Sequence, residues 1–251
     1  MSTKTKKVAI LTGAGFTKNF GGFLIENMNS EIYNSSFLHD FTDIKDMLSS
    51  EDNFEKVYSE IMFNPKVEEA AKKALRNAVA KTYQFLDEVL QKWWNNSDQP
   101  NIFNTYGLFD MFQRLLTGSG GKGIIFTLNQ DLLLERLQKF CNTPGVLLNK
   151  DFKMHLPHNP FKPNYFVRLP DEDGVKIAKE QYENAGDVAY VKLHGSYGWL
   201  SSDGEEHIVM GTNKIDQIGR EPLLRWYSEI FKSYIQEGDR KLLIIGYGFG
   251  D

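Results

Sequence analysis

Four stretches of this 251-residue chain set chemically able residues directly after short apolar runs. The first is Val8–Thr12, which breaks into Gly13-Ala14-Gly15, then Phe16 and Thr17, then a second glycine pair at Gly21-Gly22. Glycine has no Cβ, so such a turn takes positive φ and lets a ligand press against the main chain. Amide N–H groups at the mouth of a following helix make an anion site, which suits the diphosphate of a nucleotide. A tight strand-to-helix turn with no ligand uses the same residues. The ordinary dinucleotide fingerprint does not fit, because Gly-x-Gly-x-x-Gly needs glycine at position 18, which is Lys18. No second strand with an acidic end follows at the usual interval either.

The other three runs end as unusually. Gly123–Leu128 leads to Asn129-Gln130-Asp131, Val188–Leu193 to His194-Gly195-Ser196, and Lys241–Ile245 to Gly246-Tyr247-Gly248. An imidazole titrating near neutral pH can accept a proton at such a site. Each residue also has a structural alternative: a backbone-bonded strand-end histidine, an Asx turn at Asn129, a helix N-cap at Asp131. Apolar strands alternating with helices predict a parallel sheet covered on both faces. Ligands of such sheets sit beyond the carboxyl ends of the strands, where the strand order reverses. In a parallel sheet all four endings meet on one edge, and this coincidence is the strongest functional signal in the sequence.

The elements that must hold these endings are legible in part. Residues 23–63 are mixed, with helix-like pieces at Asp43–Leu48 and Phe54–Phe63. Asn64-Pro65 predicts an N-cap and first turn. Val67, Ala71, Ala74, Ala78, Thr82, Phe85, Val89 and Trp93 then keep helical spacing to about Asn95. A second helix is expected over Tyr106–Thr117, stopped by Gly118-Ser-Gly-Gly121. Asp131–Leu137 reads as helix and 146–148 as a short strand. Pro157, Pro160, Pro163 and Pro170 make 150–186 a loop-rich insertion. Trp199–Met210 suggests a hairpin turning at Asp203-Gly204, and Leu223–Ile235 is an amphipathic helix. Trp93, Trp94 and Trp226 are expected to pack in the core or an interface. His155 and His158, near Asp151, are expected to be solvated loop residues, and Thr212-Asn213 a surface turn in preference to a cofactor loop.

Composition narrows the class. Hydrophobic content of 41% and charged content of 25% suit a globular core. A net charge of −4 with pI near 5.8 gives no broad electrostatic grip on nucleic acid. No run reaches transmembrane length, and the N-terminus does not read as a signal peptide. Cys141 is the single cysteine, so neither an intrachain disulfide nor a multi-cysteine zinc module is expected. A cytoplasmic location follows as the default.

Taken in order, Thr12-Gly-Ala-Gly-Phe-Thr17, Thr127-Leu-Asn129-Gln-Asp131, Lys192-Leu-His194-Gly-Ser196 with Trp199, and Gly246-Tyr-Gly-Phe-Gly-Asp251 resemble the sirtuin superfamily. The likeness is to the sirtuin-like NAD-cleaving domains of bacterial antiphage defence proteins, and it spans nearly the whole chain. Two features depart from sirtuin deacylases. Their four zinc-binding cysteines are missing, and Lys18-Asn-Phe-Gly21 replaces the proline-rich follow-on of their glycine motif. Both disfavour deacylation, and the defence-type members lack the zinc module too.

The resemblance implies one α/β domain over 1–251, with a Rossmann-like, doubly wound parallel sheet. It would carry a helical insertion at about 40–118 and the loop-rich insertion at about 150–186 in place of a zinc module. NAD+ would be the substrate, with no metal. Asn129, His194 and Asp131 would be catalytic: His194 as base, Asn129 holding the ribose or a water, Asp131 near the ribose or the nicotinamide end. Gly13, Ala14, Gly15, Phe16, Thr17, Gly195, Gly246, Tyr247 and Gly248 would join them in binding the dinucleotide. The implied activity is NAD+ hydrolysis to nicotinamide and ADP-ribose in a regulated defence effector. Homo-oligomerisation, a partner ATPase or nucleic-acid sensor protein, or a further C-terminal region would supply that regulation. A core-type strand just before Asp251 also leads us to expect a covering segment beyond that residue. The rival expectations are ADP-ribosyl transfer or deacylation, and a non-catalytic nucleotide-sensing or interaction module.

Overall fold

The computed structural model describes residues 7–95, 108, 111–112, 114–116, 123–135, 167–183, 188–202 and 209–248. Strands β1 (Lys7–Thr12), β2 (Gly123–Thr127), β4 (Val188–Lys192) and β6 (Arg240–Ile245) form one parallel sheet in the order β4-β2-β1-β6. Numbered within the sheet, that order is third, second, first, fourth, so it reverses between β1 and β6. A two-stranded parallel ladder, β3 (Val167–Arg168) with β5 (Trp199–Leu200), lies apart from it.

Side chains alternate across a strand, so each strand feeds both faces. Ile10 and Ile125 join one apolar cluster, and Ala9, Leu11, Ile124, Phe126, Ala189 and Val191 join the other. The first face is covered by the helices that follow β1: α1 (Ala14–Lys18), α2 (Ile25–Tyr33), α3 (Thr42–Ser50), α4 (Phe54–Phe63) and α5 (Glu69–Asn95). The second face is covered by α6 (Glu172–Glu183) and α8 (Pro222–Gln236), with α7 (Lys214–Arg220) leading into α8. Phe126 is fully buried there, with ring centroids 4.9 Å from Phe231 and 5.9 Å from Tyr234. Burying one such side chain is worth roughly 1.5–3 kcal/mol. Trp226 packs in this cluster, as its helical position predicts.

Four elements differ from the sequence reading. Helices already cover this face before position 40, the expected start of the helical insertion: Phe16 of α1 and Met28 and Ile32 of α2 belong to the same core as α3–α5. The long helix starts at Glu69, since Asn64 takes the amide of Lys66 at 2.9 Å and caps a separate turn. Its fully buried stripe also swings to Leu75, Ala78, Leu86 and Leu90, leaving Phe85 and Val89 half-buried. The stretch expected to be loop contains α6: all four prolines precede Asp171, which accepts from Gly174 N at 2.9 Å and opens a helix that buries Val175 and Ala178. Lastly, Trp199–Leu200 pairs in parallel with Val167–Arg168, a ladder that the sequence reading did not include. The hairpin turn, the 146–148 strand, Cys141, Asp151, His155, His158 and most of the second helix lie outside the described residues, as do the side chains of Trp93 and Trp94.

Candidate active site at the carboxyl edge of the sheet

The last rung of the sheet sets the geometry. Thr12 pairs with Thr127 on one side and Ile245 on the other, and Thr127 pairs with Lys192. Two residues beyond that rung, the four chain continuations carry His194, Asn129, Ala14 and Tyr247, in the spatial order of their strands. Neighbouring strands run about 4.8 Å apart, so Asn129 and His194 leave adjoining strands at equal height. All four residues line one cavity of about 680 Å³, together with Gly13, Gly15, Gln130, Asp131, Gly246 and Gly248. That cavity opens at the boundary where the strand order reverses.

Its floor is tied across the chain. The Thr12 hydroxyl donates to that of Thr127 at 2.8 Å, and the Thr127 hydroxyl accepts the amide of Asn129 at 3.1 Å. The Asn129 side-chain amide donates to the Gly13 carbonyl at 3.0 Å and to the Thr17 hydroxyl at 2.8 Å. A carbonyl can only accept, so this partner fixes which end of the amide is nitrogen. Thr17 in turn donates to Asp131 Oδ2 at 2.8 Å. With both amide hydrogens of Asn129 engaged, its Oδ1 is the atom left with capacity for a ligand.

Asp131 serves as a cap as well as a cavity wall. Its Oδ1 accepts the Leu133 amide at 2.9 Å at the start of the helical turn 133–135. Burial pushes its carboxyl pKa above the ordinary value; the Lys192 ammonium, the Leu133 N–H and the Thr17 hydroxyl oppose that shift without cancelling it. Lys192 is 3% exposed and pairs with Glu135, 6% exposed, at 2.9 Å, while also donating to the Asp131 carbonyl. Tyr190 closes the group by donating to Glu135 at 3.2 Å. Removing one member of such a buried pair strands the other charge, typically at about 3–5 kcal/mol. The pair therefore holds the Asn129–Asp131 loop onto the strand that leads to His194.

The two glycine turns explain each other. Gly13 N donates to the Ile245 carbonyl at 3.0 Å and Gly15 N to the Gly246 carbonyl at 2.8 Å. Gly246 sits at φ 66°, and a Cβ there would lie 2.0 Å from Phe16 N. Main chain packs on main chain at this point, which only glycine permits. Two of the amides expected to cradle a diphosphate, those of Gly13 and Gly15, are thus bound to the neighbouring turn, and these glycines offer the cavity their backbone surface instead. Three other expected contacts also lie off the cavity wall. Phe16 is in the core, with ring centroids 5.4 Å from Phe20 and 6.1 Å from Phe112. Thr17 is 1% exposed and engaged with Asn129 and Asp131. Gly195 is buried at φ 74°, shaping the turn after half-buried His194.

The opposite wall comes from the helical segment, and the sequence pattern gave no sign of it. Met28, Phe54 and Leu86 give it an apolar surface, and Glu26, Asn53, Glu55 and Tyr83 give it polar groups. Burial, reinforced by the charges of Glu55 and Asp131, raises the Tyr83 phenol well above its ordinary range. Its ring stacks on Tyr197, centroids 6.2 Å apart. Lys214, at the start of α7, also lines the cavity and pairs with Glu55 at 3.0 Å. Gln130 holds the adjoining loop by donating to the Val209 carbonyl, and its Oε1 is buried without a partner. Two signals for this machinery were present in the sequence. Lys192 is the one charge in an apolar strand, and Gln130 lies between two residues already singled out.

Among the described residues no group of three or more His, Cys, Asp or Glu side chains could hold a metal ion, and no helix is long and apolar enough to cross a membrane. No protein-family model matches the sequence, and no curated protein matches it.

Proposed function

We propose that the protein is an NAD+ glycohydrolase. The observation that carries this reading is the shared cavity at the reversal of strand order, lined by Asn129, His194 and both glycine turns. The third-second-first-fourth order is the one used by Rossmann-like dinucleotide-binding sheets, whose ligands occupy that crevice. The sirtuin-like order of motifs adds the substrate class.

In the proposed reaction the bond between ribose C1′ and the pyridinium nitrogen breaks, its electron pair passing to nitrogen. Nicotinamide leaves neutral and needs no acid. Water bonds to C1′ and gives its proton to His194, yielding ADP-ribose. Catalysis then consists of positioning and of stabilising an oxocarbenium-like sugar. Asn129 Oδ1 suits a ribose hydroxyl or the attacking water, and Asp131, when ionised, would add negative charge beside it. Membership of a regulated antiphage effector, with homo-oligomerisation or a partner ATPase or sensor, rests on the resemblance alone.

The test is nicotinamide release by purified protein from NAD+. His194→Ala and Asn129→Ala should each abolish it while the fold persists by circular dichroism. Full turnover in either variant would sink the assignment. Label transferred from NAD+ to protein, or to an acyl group, would favour the transferase or deacylase reading. Calorimetric binding with no nicotinamide formed would favour a nucleotide-sensing module.

A further inference from the structure

From the charges around the cavity we infer that Lys214 is the cation that receives the ligand's diphosphate, exchanging its present partner Glu55 for the phosphate oxygens. The inference rests on the nucleotide reading above and assigns one binding group within it. Three observations converge.

First, two of the backbone amides that this glycine turn would ordinarily offer to a phosphate are engaged. Gly13 N and Gly15 N donate to the carbonyls of Ile245 and Gly246. Second, the cavity wall is acidic. Glu26, Glu55 and Asp131 line it, and Lys214 is the single lysine or arginine among the described lining residues. A doubly charged diphosphate entering this space meets like charge unless a cation faces it, and Lys214 is the cation in place. Third, the Lys214–Glu55 pair is accessible rather than sealed, with side chains 17% and 21% exposed. Glu55 keeps another hydrogen bond if the ammonium leaves, since its Oε2 also accepts the Gly211 amide at 3.2 Å. The loop before Lys214 stays anchored through Thr212 N, which donates to Ser59 Oγ at 2.9 Å, and through Gln217, which accepts from Met210 N at 3.2 Å and donates to its carbonyl at 2.7 Å. The ammonium can therefore change partner without the backbone around it letting go.

A salt bridge that merely straps the loop to α4 predicts that removing either partner weakens binding. Exchange predicts opposite signs. Glu55→Gln removes the competing carboxylate while its amide oxygen still accepts from Gly211, whereas Lys214→Met removes the receiving charge.

The experiment is calorimetric titration of wild type, Lys214→Met, Lys214→Arg and Glu55→Gln with ADP, and with adenosine as the uncharged control. Thermal melts accompany each variant. Lys214→Met should lose about tenfold or more in ADP affinity, the scale of one charge-assisted hydrogen bond. It should also flatten the salt dependence of ADP binding and leave adenosine affinity unchanged. Lys214→Arg should retain most ADP affinity, and Glu55→Gln should bind ADP more tightly than wild type. Weaker ADP binding by both Lys214→Met and Glu55→Gln, or no change in either, overturns the assignment. If Lys214→Met does not fold, Glu55→Gln decides alone: tighter binding supports exchange and weaker or equal binding refutes it. Wild type that binds neither ADP nor NAD+ would remove the nucleotide reading itself, and this inference with it.

Discussion

Asn129 donates its side-chain amide to the hydroxyl of Thr17 at 2.8 Å, although 112 positions separate them in the chain. Thr17 is buried and passes its own hydrogen to Asp131, so three polar side chains form a directed series across the turn between β1 and α1. Thr17 thus holds Asn129 in place without reaching the cavity itself.

This fixes the expected behaviour of substitutions at Thr17. Valine keeps the shape and removes the hydroxyl, leaving one amide hydrogen of Asn129 and one Asp131 oxygen without their partner. A buried group left unsatisfied costs about 1–3 kcal/mol, and denaturant unfolding should show a loss of that size. In the nicotinamide-release assay Thr17→Val should lower kcat by about tenfold or more, as expected when a positioning contact is lost, with a smaller change in KM. Thr17→Ser keeps the hydroxyl and should restore most of both. Wild-type turnover by Thr17→Val would show that the Gly13 carbonyl alone orients Asn129.

The two glycines of the β6 turn should separate structure from binding. At Gly246 a Cβ would collide with Phe16 N and the backbone is left-handed, so Gly246→Ala should destabilise by at least about 1–3 kcal/mol. Gly248 also lines the cavity, but a Cβ there meets nothing within 4 Å. Gly248→Ala should therefore unfold within about 0.5 kcal/mol of wild type, and any change in nucleotide affinity it causes reports on the ligand. Paired denaturation curves check the first statement. Equal stability of wild type and Gly246→Ala would mean that the two turns do not pack as described.

The same glycines show what the sequence disclosed and what it withheld. Apolar runs ending in Gly13, Asn129, His194 and Gly246 were visible as strands, because a buried parallel strand writes a continuous apolar pattern. Their common edge followed from parallel pairing, and the cavity lies there. Which groups those endings would leave to a ligand was not legible. The Gly13 and Gly15 amides bond to a turn more than 230 residues away, and Thr17 bonds to a loop reached through α2–α5. Hydrogen bonds of that span leave no local periodicity. Glu55, Tyr83 and Lys214 escaped notice for the same reason: each sits in an ordinary amphipathic or loop setting, and only tertiary packing brings it to the cavity. Helix α6 was hidden differently, by a cluster of prolines that all precede its capping residue Asp171.

Asp131 gives the site a pH signature whose sign can be worked out. Its carboxyl has a higher pKa folded than the ordinary 3.8, because burial outweighs the help from Lys192, Leu133 N–H and Thr17. Between the unfolded and folded pKa values the folded state binds more protons than the unfolded chain. The favourable contribution of protonated Asp131 is therefore complete below about 3.8 and is lost as pH rises through the folded value. Asp131→Asn cannot titrate, yet it keeps an oxygen for the Leu133 amide and lets the Thr17 hydroxyl rotate to accept. Unfolding free energies of wild type and Asp131→Asn, measured at a series of pH values from about 3.5 upward, should diverge. Wild type should lose stability relative to the variant across that window, with a constant difference above it. A difference that runs the other way would mean that the Lys192 ammonium dominates burial, and that the carboxylate is held ionised more firmly in the folded protein than in water.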